Sequence, residues 1–287
     1  MKVIWEPKDI YPGRTEGLHP LVNAKRYGDY ELVKYKKKVF YDNLWDKELL
    51  ECRGRVYRDN KIAVNPFTKI FNYGENNTTC PANATVLAVQ KINGFMGAYT
   101  NGLYTTTGSF ESPYVDMFKE LLPDPKLQKD VTWLFEIVHK SDPHIIREEP
   151  GVYLIGARGL LSEEYDSWVE KEIWLDRVAK EYNFKRPEWF TATFADVLDL
   201  AREAKHEGYV VYGSEISSNL GSHAALKIKS PFYLKAKALA RGNRALDDDF
   251  AALKEMLPEN LTEQERLDFI FKVLENRKTN FCKEIVI

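Results

Sequence analysis

A lysine closes the apolar run Val89-Gln90-Lys91 and is followed, across Ile92, by the turn-forming pair Asn93-Gly94. A lysine at a strand end before a tight turn can serve as a nucleophile once its amine is neutral, or can hold an anion. By itself the segment reads as an ordinary strand and turn with a solvated lysine. It gains meaning from other charges set in apolar runs. Arg53 lies in Glu51-Cys52-Arg53-Gly54-Arg55-Val56-Tyr57, and Lys69 in Asn65-Pro66-Phe67-Thr68-Lys69-Ile70-Phe71-Asn72. Glu136 sits inside Leu134-Phe135-Glu136-Ile137-Val138, and Glu207 opens Glu207-Gly208-Tyr209-Val210-Val211. In Leu226-Lys227-Ile228-Lys229 the two lysines stand at i and i+2, on one face of a strand. Lone charges inside strands are expensive to bury, so these must be paired or must meet a charged ligand. A ligand with several phosphates would satisfy the lysines and the arginine. A ribose or a metal would satisfy the glutamates.

Short strands must position these groups. Roughly the first 130 residues are rich in Val, Tyr, Thr, Asn and Gly. Residues 55–57, 85–90 and 95–100 read as strands, and Asn101-Gly102 as a hairpin turn leading into 103–106. Residues 133–138 and 152–157 read as two more strands. Helical spacing follows over 163–182, with Trp168, Ile173, Trp174, Leu175 and Val178 as its apolar stripe. A second helix is expected over 193–205, with Thr193 as N-cap and Asp196 three residues on. Strand character returns at 207–212 and 225–229. Three helices are expected after Pro231, over 233–241, 247–256 and 262–277, the last capped by Thr262 and Glu265. Clustered strands with late helices argue for α+β with mostly antiparallel sheets.

The chain has 287 residues, 44% apolar and 29% charged, the composition of a folded globular protein. Its net charge of −2 excludes binding nucleic acid by bulk charge; any such contact needs a local basic groove. Cys52, Cys80 and Cys282 show no metal-ligand spacing, which fits a reducing compartment. No run approaches the about 20 apolar residues of a membrane span. The N-terminus carries Glu6 and Pro7 where a signal peptide needs an apolar core.

Taken in order, these segments resemble the covalent nucleotidyltransferases, the ATP-dependent ligases and mRNA capping enzymes, whose nucleophile motif is Lys-x-Asp-Gly and which end in a strand with two lysines. The details are most similar to the RNA ligases of T-even bacteriophages, the tRNA-repair type. Three features carry this: the Glu51–Gly54 and Pro66–Asn72 segments, the Phe-Glu-Ile-Val strand at 135–138, and Lys-Ile-Lys-Ser-Pro-Phe-Tyr at 227–233. The likeness spans roughly residues 30–235. Asn93 stands where the motif has Asp, Phe95 where Ser or Thr is common, and His144 where relatives often have Arg.

The resemblance implies an adenylyltransferase domain over 1–235 and a small helical C-terminal extension over 236–287. It implies ATP and Mg²⁺ as cofactors, with Mn²⁺ able to substitute. The implied activity joins RNA 5′-phosphate and 3′-OH ends through a lysyl-AMP and an RNA-adenylate, in RNA repair. Lys91 would be the nucleophile, with its pKa depressed by Lys69, Lys227, Lys229, Arg53 and a metal. Arg53, Lys69, Lys227 and Lys229 would contact phosphates, and Gln90 would lie at the nucleotide. Glu136 would bind the ribose and Glu207 the metal. For the aromatic stacked on adenine, Phe135, Tyr153 and Phe95 are candidates, each better read as core. Implied partners are RNA ends, nicked tRNA among them, and an end-healing kinase/phosphatase. The protein would be a monomer without membrane contact, in the cytoplasm of a bacterium or a phage-infected cell. Lys34–Lys38 reads equally as a contact to RNA backbone or as a solvated face. A DNA ligase or a GTP-using capping enzyme would share the same core. Both usually carry an OB-fold, which the 58 residues after Lys229 cannot supply in helical form. An RNA-end-binding protein without turnover is the alternative outside the enzymes.

Overall fold

The computed structural model describes residues 19–142, 144–160, 167–222, 224–240 and the two positions 262 and 265. An N-terminal antiparallel sheet is formed by β1 (Val22–Tyr27), β2 (Tyr30–Tyr35), β3 (Arg53–Arg58) and β4 (Lys61–Val64), with the short helices α1 (Lys37–Tyr41) and α2 (Lys47–Glu51) between its strands. After β5 (Phe71–Asn72) come β6 (Thr85–Gln90), β7 (Phe95–Thr100), β8 (Leu103–Thr106), α3 (Pro113–Leu121), β9 (Val131–Val138) and β10 (Gly151–Gly159). The chain continues through α4 (Trp168–Tyr182), β11 (Trp189–Thr193), α5 (Phe194–Glu203) and β12 (Gly208–Tyr212). The ribbon β13 (Ser217–Ser218) and β14 (Gly221–Ser222), then β15 (Ala225–Lys229) and α6 (Pro231–Ala240), complete the described elements.

Two larger sheets face each other. One has the order β11-β6-β12-β15-β5, antiparallel except for the parallel β15–β5 pair. The other is antiparallel, ordered β10-β9-β7-β8. The period-2 alternation of strands decides what each face does. On the first sheet Val86, Ala88, Tyr209, Val211, Leu226 and Ile228 turn outward onto Phe194, Val197 and Ala201 of α5. On the second, Trp133, Phe135 and Ile137 turn outward onto Phe118 of α3 and Leu175 and Val178 of α4. The residues between them, Val89, Val210 and Lys227 on one sheet and Met96, Glu136 and Ile155 on the other, line a common pocket. The chemistry-bearing side chains therefore occupy the inner faces of an α/β/β/α arrangement.

The expected strands at 85–90, 95–100, 103–106 and 225–229 match β6, β7, β8 and β15. Asn101 and Gly102 both have positive φ, 50° and 87°, as a tight I′ hairpin turn requires. Thr193 caps α5 by accepting from the Asp196 N–H at 3.2 Å. In α4 the apolar stripe is narrower than its spacing suggested. Leu175 and Val178 are buried, Trp174 stacks on Trp133 and Trp168 on Tyr212, but Ile173 is exposed. The buried Glu172, ion-paired to Arg186, takes part of that face instead. The expected start of α4 at 163 and the helix over 247–256 lie outside the described residues, as does most of 262–277. Thr262 and Glu265 do form a reciprocal cap, Thr262 N–H to Oε2 at 2.8 Å and Glu265 N–H to Oγ1 at 3.3 Å. No helix among the described residues is long and apolar enough to cross a membrane.

Candidate active site

The site is built on the turn after β6, an inner strand of its sheet. The Lys91 N–H donates to the Gly208 carbonyl at 2.8 Å, so the lysine remains tied to β12 after the strand ends. Its ammonium meets Glu207, the residue just before β12, with Nζ 3.0 Å from Oε2. This approach requires glycine at 208: its φ is +129°, and a Cβ there would sit 2.0 Å from the Ile228 carbonyl oxygen. Gly94 is constrained in the same way by β9. A Cβ at 94 would lie 2.3 Å from the Ile137 carbonyl oxygen, and the close approach lets the Gly94 N–H donate to Glu136 Oε1 at 3.1 Å. The turn thus connects Lys91, Glu207 and Glu136.

Asn93 completes the turn and gives its departure from the motif a physical reason. Its Nδ2 donates to Glu207 Oε2 at 2.7 Å, and its Oδ1 accepts from the Ile146 N–H at 2.8 Å. The side chain is buried and must donate on one side and accept on the other. An amide does both, and an ionised carboxylate cannot.

The electrostatics differ from the expectation for Lys91. Burial pushes its ammonium toward neutrality, but Glu136 and Glu207 outweigh burial and hold its pKa above the ordinary lysine value. In this arrangement Lys91 is an ammonium, and the cations expected to depress it are screened by two carboxylates. Lys227 is the lysine driven well down, by burial first and then by Arg53, Lys69, Lys91 and Lys229. Burial raises Glu136, with Lys91 acting against it and Glu207 with it. Glu148, which accepts from the Asn93 N–H at 3.4 Å, is also raised by burial.

Arg53, Gln90, Lys91, Glu136 and Lys227 share one pocket. The Arg53 guanidinium donates to Met96 Sδ at 3.6 Å, and neither it nor Lys227 has a carboxylate partner within ion-pair distance among the described residues. Two cations without counterions in a partly buried pocket make an anion site. Lys69 and Lys229 are held beside it. Lys69 pairs with Glu75 at 2.9 Å and lies over the rings of Phe71 and Trp45; burial lowers its pKa in spite of Glu75. Lys229 reaches the other oxygen of Glu207 at 3.7 Å and lies over Tyr233. Phe135 is wholly buried, Tyr153 lies under Lys185, and Phe95 packs on Tyr114. The pocket's own aromatic walls are Phe67 and Tyr212, which sequence alone did not single out. Glu75 and Glu148 were also missed. No spacing signal marks them, because their partners are set by tertiary contacts.

Carboxylate oxygens are the hard donors that magnesium takes, and Glu207, Glu136 and Glu148 surround the turn, so the donor chemistry fits. Glu207 is engaged by Lys91, Asn93 and Lys229, so it is free to hold an ion only when Lys91 releases it. Among the described residues the one grouping of metal-type ligands already close enough to share an ion is His19, Asp46 and Glu48, at α2 and not in this pocket.

A family model described as RNA ligase matches residues 51–239. Two solved structures share the fold. An archaeal ATP-dependent RNA ligase has a TM-score of 0.53 at 17% identity, covering 92% of this chain and 77% of its own. A putative ATP-dependent DNA ligase from Aquifex aeolicus has a TM-score of 0.51 at 14% identity, covering 92% and 72%. A search of curated proteins finds no match.

Proposed function

The chain belongs to the RNA ligase family, and from that premise we propose that it uses ATP to seal RNA 5′-phosphate and 3′-OH ends through a lysyl-AMP on Lys91. One observation carries the reading. A lysine ion-paired to a buried glutamate stands at the edge of a pocket whose two cations, Arg53 and Lys227, lack carboxylate partners among the described residues. Such a pocket suits an anion beside an amine.

In the first step the Lys91 amine attacks the α-phosphorus of ATP; a P–N bond forms and the P–O bond to pyrophosphate breaks. The amine must first lose a proton. Glu207 Oε2, 3.0 Å away, is the group in reach to relay it to solvent, which leaves Glu207 an ionised carboxylate and Lys91 a neutral amine that no longer needs the ion pair. Lys227 and Arg53 neutralise phosphate charge, which is the main demand of phosphoryl transfer. Glu136, anchored by the Gly94 N–H, would accept from the ribose. Magnesium, or manganese in its place, would be held by Glu207 and would supply further charge neutralisation. In the second step the RNA 5′-phosphate oxygen attacks the same phosphorus, and the P–N bond breaks as Lys91 regains its proton. In the third the RNA 3′-OH attacks the 5′-phosphorus and AMP leaves.

Nicked tRNA as substrate, an end-healing kinase/phosphatase as partner, a monomeric state, a cytoplasmic setting and a separate extension over 236–287 belong to the same proposal. The buried thiols of Cys52 and Cys80 suit a reducing compartment. Incubation of 5′-labelled RNA with ATP and magnesium tests the activity. The label should pass into a longer product resistant to phosphatase; label left fully removable would refute sealing.

A further inference from the structure

The anion site does not end at Arg53. In the N-terminal sheet Arg53 pairs in register with Lys34 of β2, and Lys34 with Asn23 of β1. Lys25 follows Asn23 by two residues and so points to the same face. On this face Leu32 and Val56 pack toward the β7–β10 sheet, whereas Val22, Val33 and Tyr57 on the opposite face pack with α1 and α2. The segment after β8 borders the strip: the Lys25 ammonium donates to the Gly108 carbonyl at 3.3 Å, and Lys34 Nζ lies 3.1 Å from where a Gly108 Cβ would stand.

Lys34 is half-buried, with no hydrogen bond or ion pair of its ammonium among the described residues. Burial lowers its pKa, and the charges acting with burial are Arg53, Lys25 and Lys37, all cations. An ammonium held among cations, away from full hydration, is an unfavourable arrangement unless an anion covers it. Exposure also grows outward, from the partly buried Arg53 and Lys34 to the exposed Lys25 and Lys37. A compact triphosphate needs cations only around the pocket. A cationic strip running from the pocket to the edge of a sheet fits a polyanion that enters by one end.

We propose that Lys34 and Lys25 hold the phosphodiester backbone of the 5′-phosphorylated RNA strand as it leads into the Arg53–Lys227 site. The proposal rests on the ligase reading for the identity of the polyanion.

The test is binding of a 5′-phosphorylated single-stranded RNA oligonucleotide, followed by fluorescence anisotropy over a range of salt concentrations without ATP. Lys34→Met and Lys25→Met keep most of each stem, and Lys180→Met on the exposed surface of α4 is the control. Each strip variant should weaken binding and make the slope of log K against log salt shallower by about 0.7, the single-strand value for one lost phosphate contact. The control should bind as wild type does. Lysyl-AMP formation without RNA separates the two sources of phosphate. A raised KM for ATP with unchanged RNA slopes would assign the lysines to the triphosphate and overturn the proposal. Folded variants unchanged in both assays would overturn it too, as a solvated face. Lys25, exposed on β1, keeps the test decisive should Lys34→Met fail to fold. Lysine-dependent RNA binding by a protein that forms no lysyl-AMP would support this inference while contradicting the ligase reading.

Discussion

Asn93→Asp restores the residue that the motif usually carries, and it should weaken this protein. The Asn93 amide donates to Glu207 Oε2 at 2.7 Å, and a hydrogen bond to a charged group contributes about 1.5–3 kcal/mol. Two ionised carboxylate oxygens at that separation would repel by roughly 6 kcal/mol at an effective dielectric constant of about 20. The cheaper outcome is that the introduced carboxyl stays protonated and donates in place of the amide. Holding a proton at pH 7 on a group that titrates near 3.9 costs at most about 4 kcal/mol. The expected loss is therefore about 2–4 kcal/mol at pH 7, a fall in Tm of roughly 4–16 °C. The sign with pH follows from a folded-state pKa raised above the unfolded value. The variant matches wild type below about pH 4, and loses stability by up to about 1.4 kcal/mol per pH unit as pH rises toward the folded pKa. Urea unfolding of both proteins at pH 5 and pH 8 measures this. A variant as stable as wild type at pH 8 would refute the role given to the Asn93 amide.

Lys91→Ala and Lys91→Arg should both abolish the AMP adduct, since a guanidinium is not deprotonated at working pH; Lys91→Ala should still seal RNA that already carries a 5′-adenylate. Glu207→Ala should lose about 10²–10³ in rate both in adduct formation and in sealing of pre-adenylylated RNA, and a folded variant that seals such RNA at the wild-type rate would leave the metal role unsupported. Because Glu207 and Glu136 outweigh burial and keep Lys91 protonated, single-turnover adduct formation should rise up to about tenfold per pH unit from pH 6 to 9; a flat profile would mean that Lys91 is already neutral. Gly94→Ala should destabilise by about 1–3 kcal/mol through overpacking against Ile137 and weaken ATP binding through Glu136, as seen in thermal melts with and without ATP.

The strands that hold the pocket were legible because local signals suffice for them. β6, β7 and β8 follow from alternation and from Asn101-Gly102, whose two positive φ values few other residue pairs adopt readily. Lys227 and Lys229 share a face because a strand has period 2. The state of Lys91 was not legible: its neighbours Glu207 and Glu136 lie 116 and 45 residues away in sequence, and their balance against burial depends on packing. Lys69 showed its charge but not its counterion Glu75, which comes from the turn that follows β5. The α4 stripe misled at Ile173 because Glu172 takes an inner position through its pair with Arg186, and a hydrophobic pattern gives no weight to a paired carboxylate.

The most direct measurement is covalent labelling of the wild-type protein with α-labelled ATP and, separately, α-labelled GTP, followed by mapping of the labelled peptide. ATP with magnesium should leave one AMP on Lys91, and GTP should leave none. Label on another residue, label from GTP in place of ATP, or no adduct from protein that binds ATP would contradict Lys91 as the nucleophile of an ATP-dependent RNA ligase.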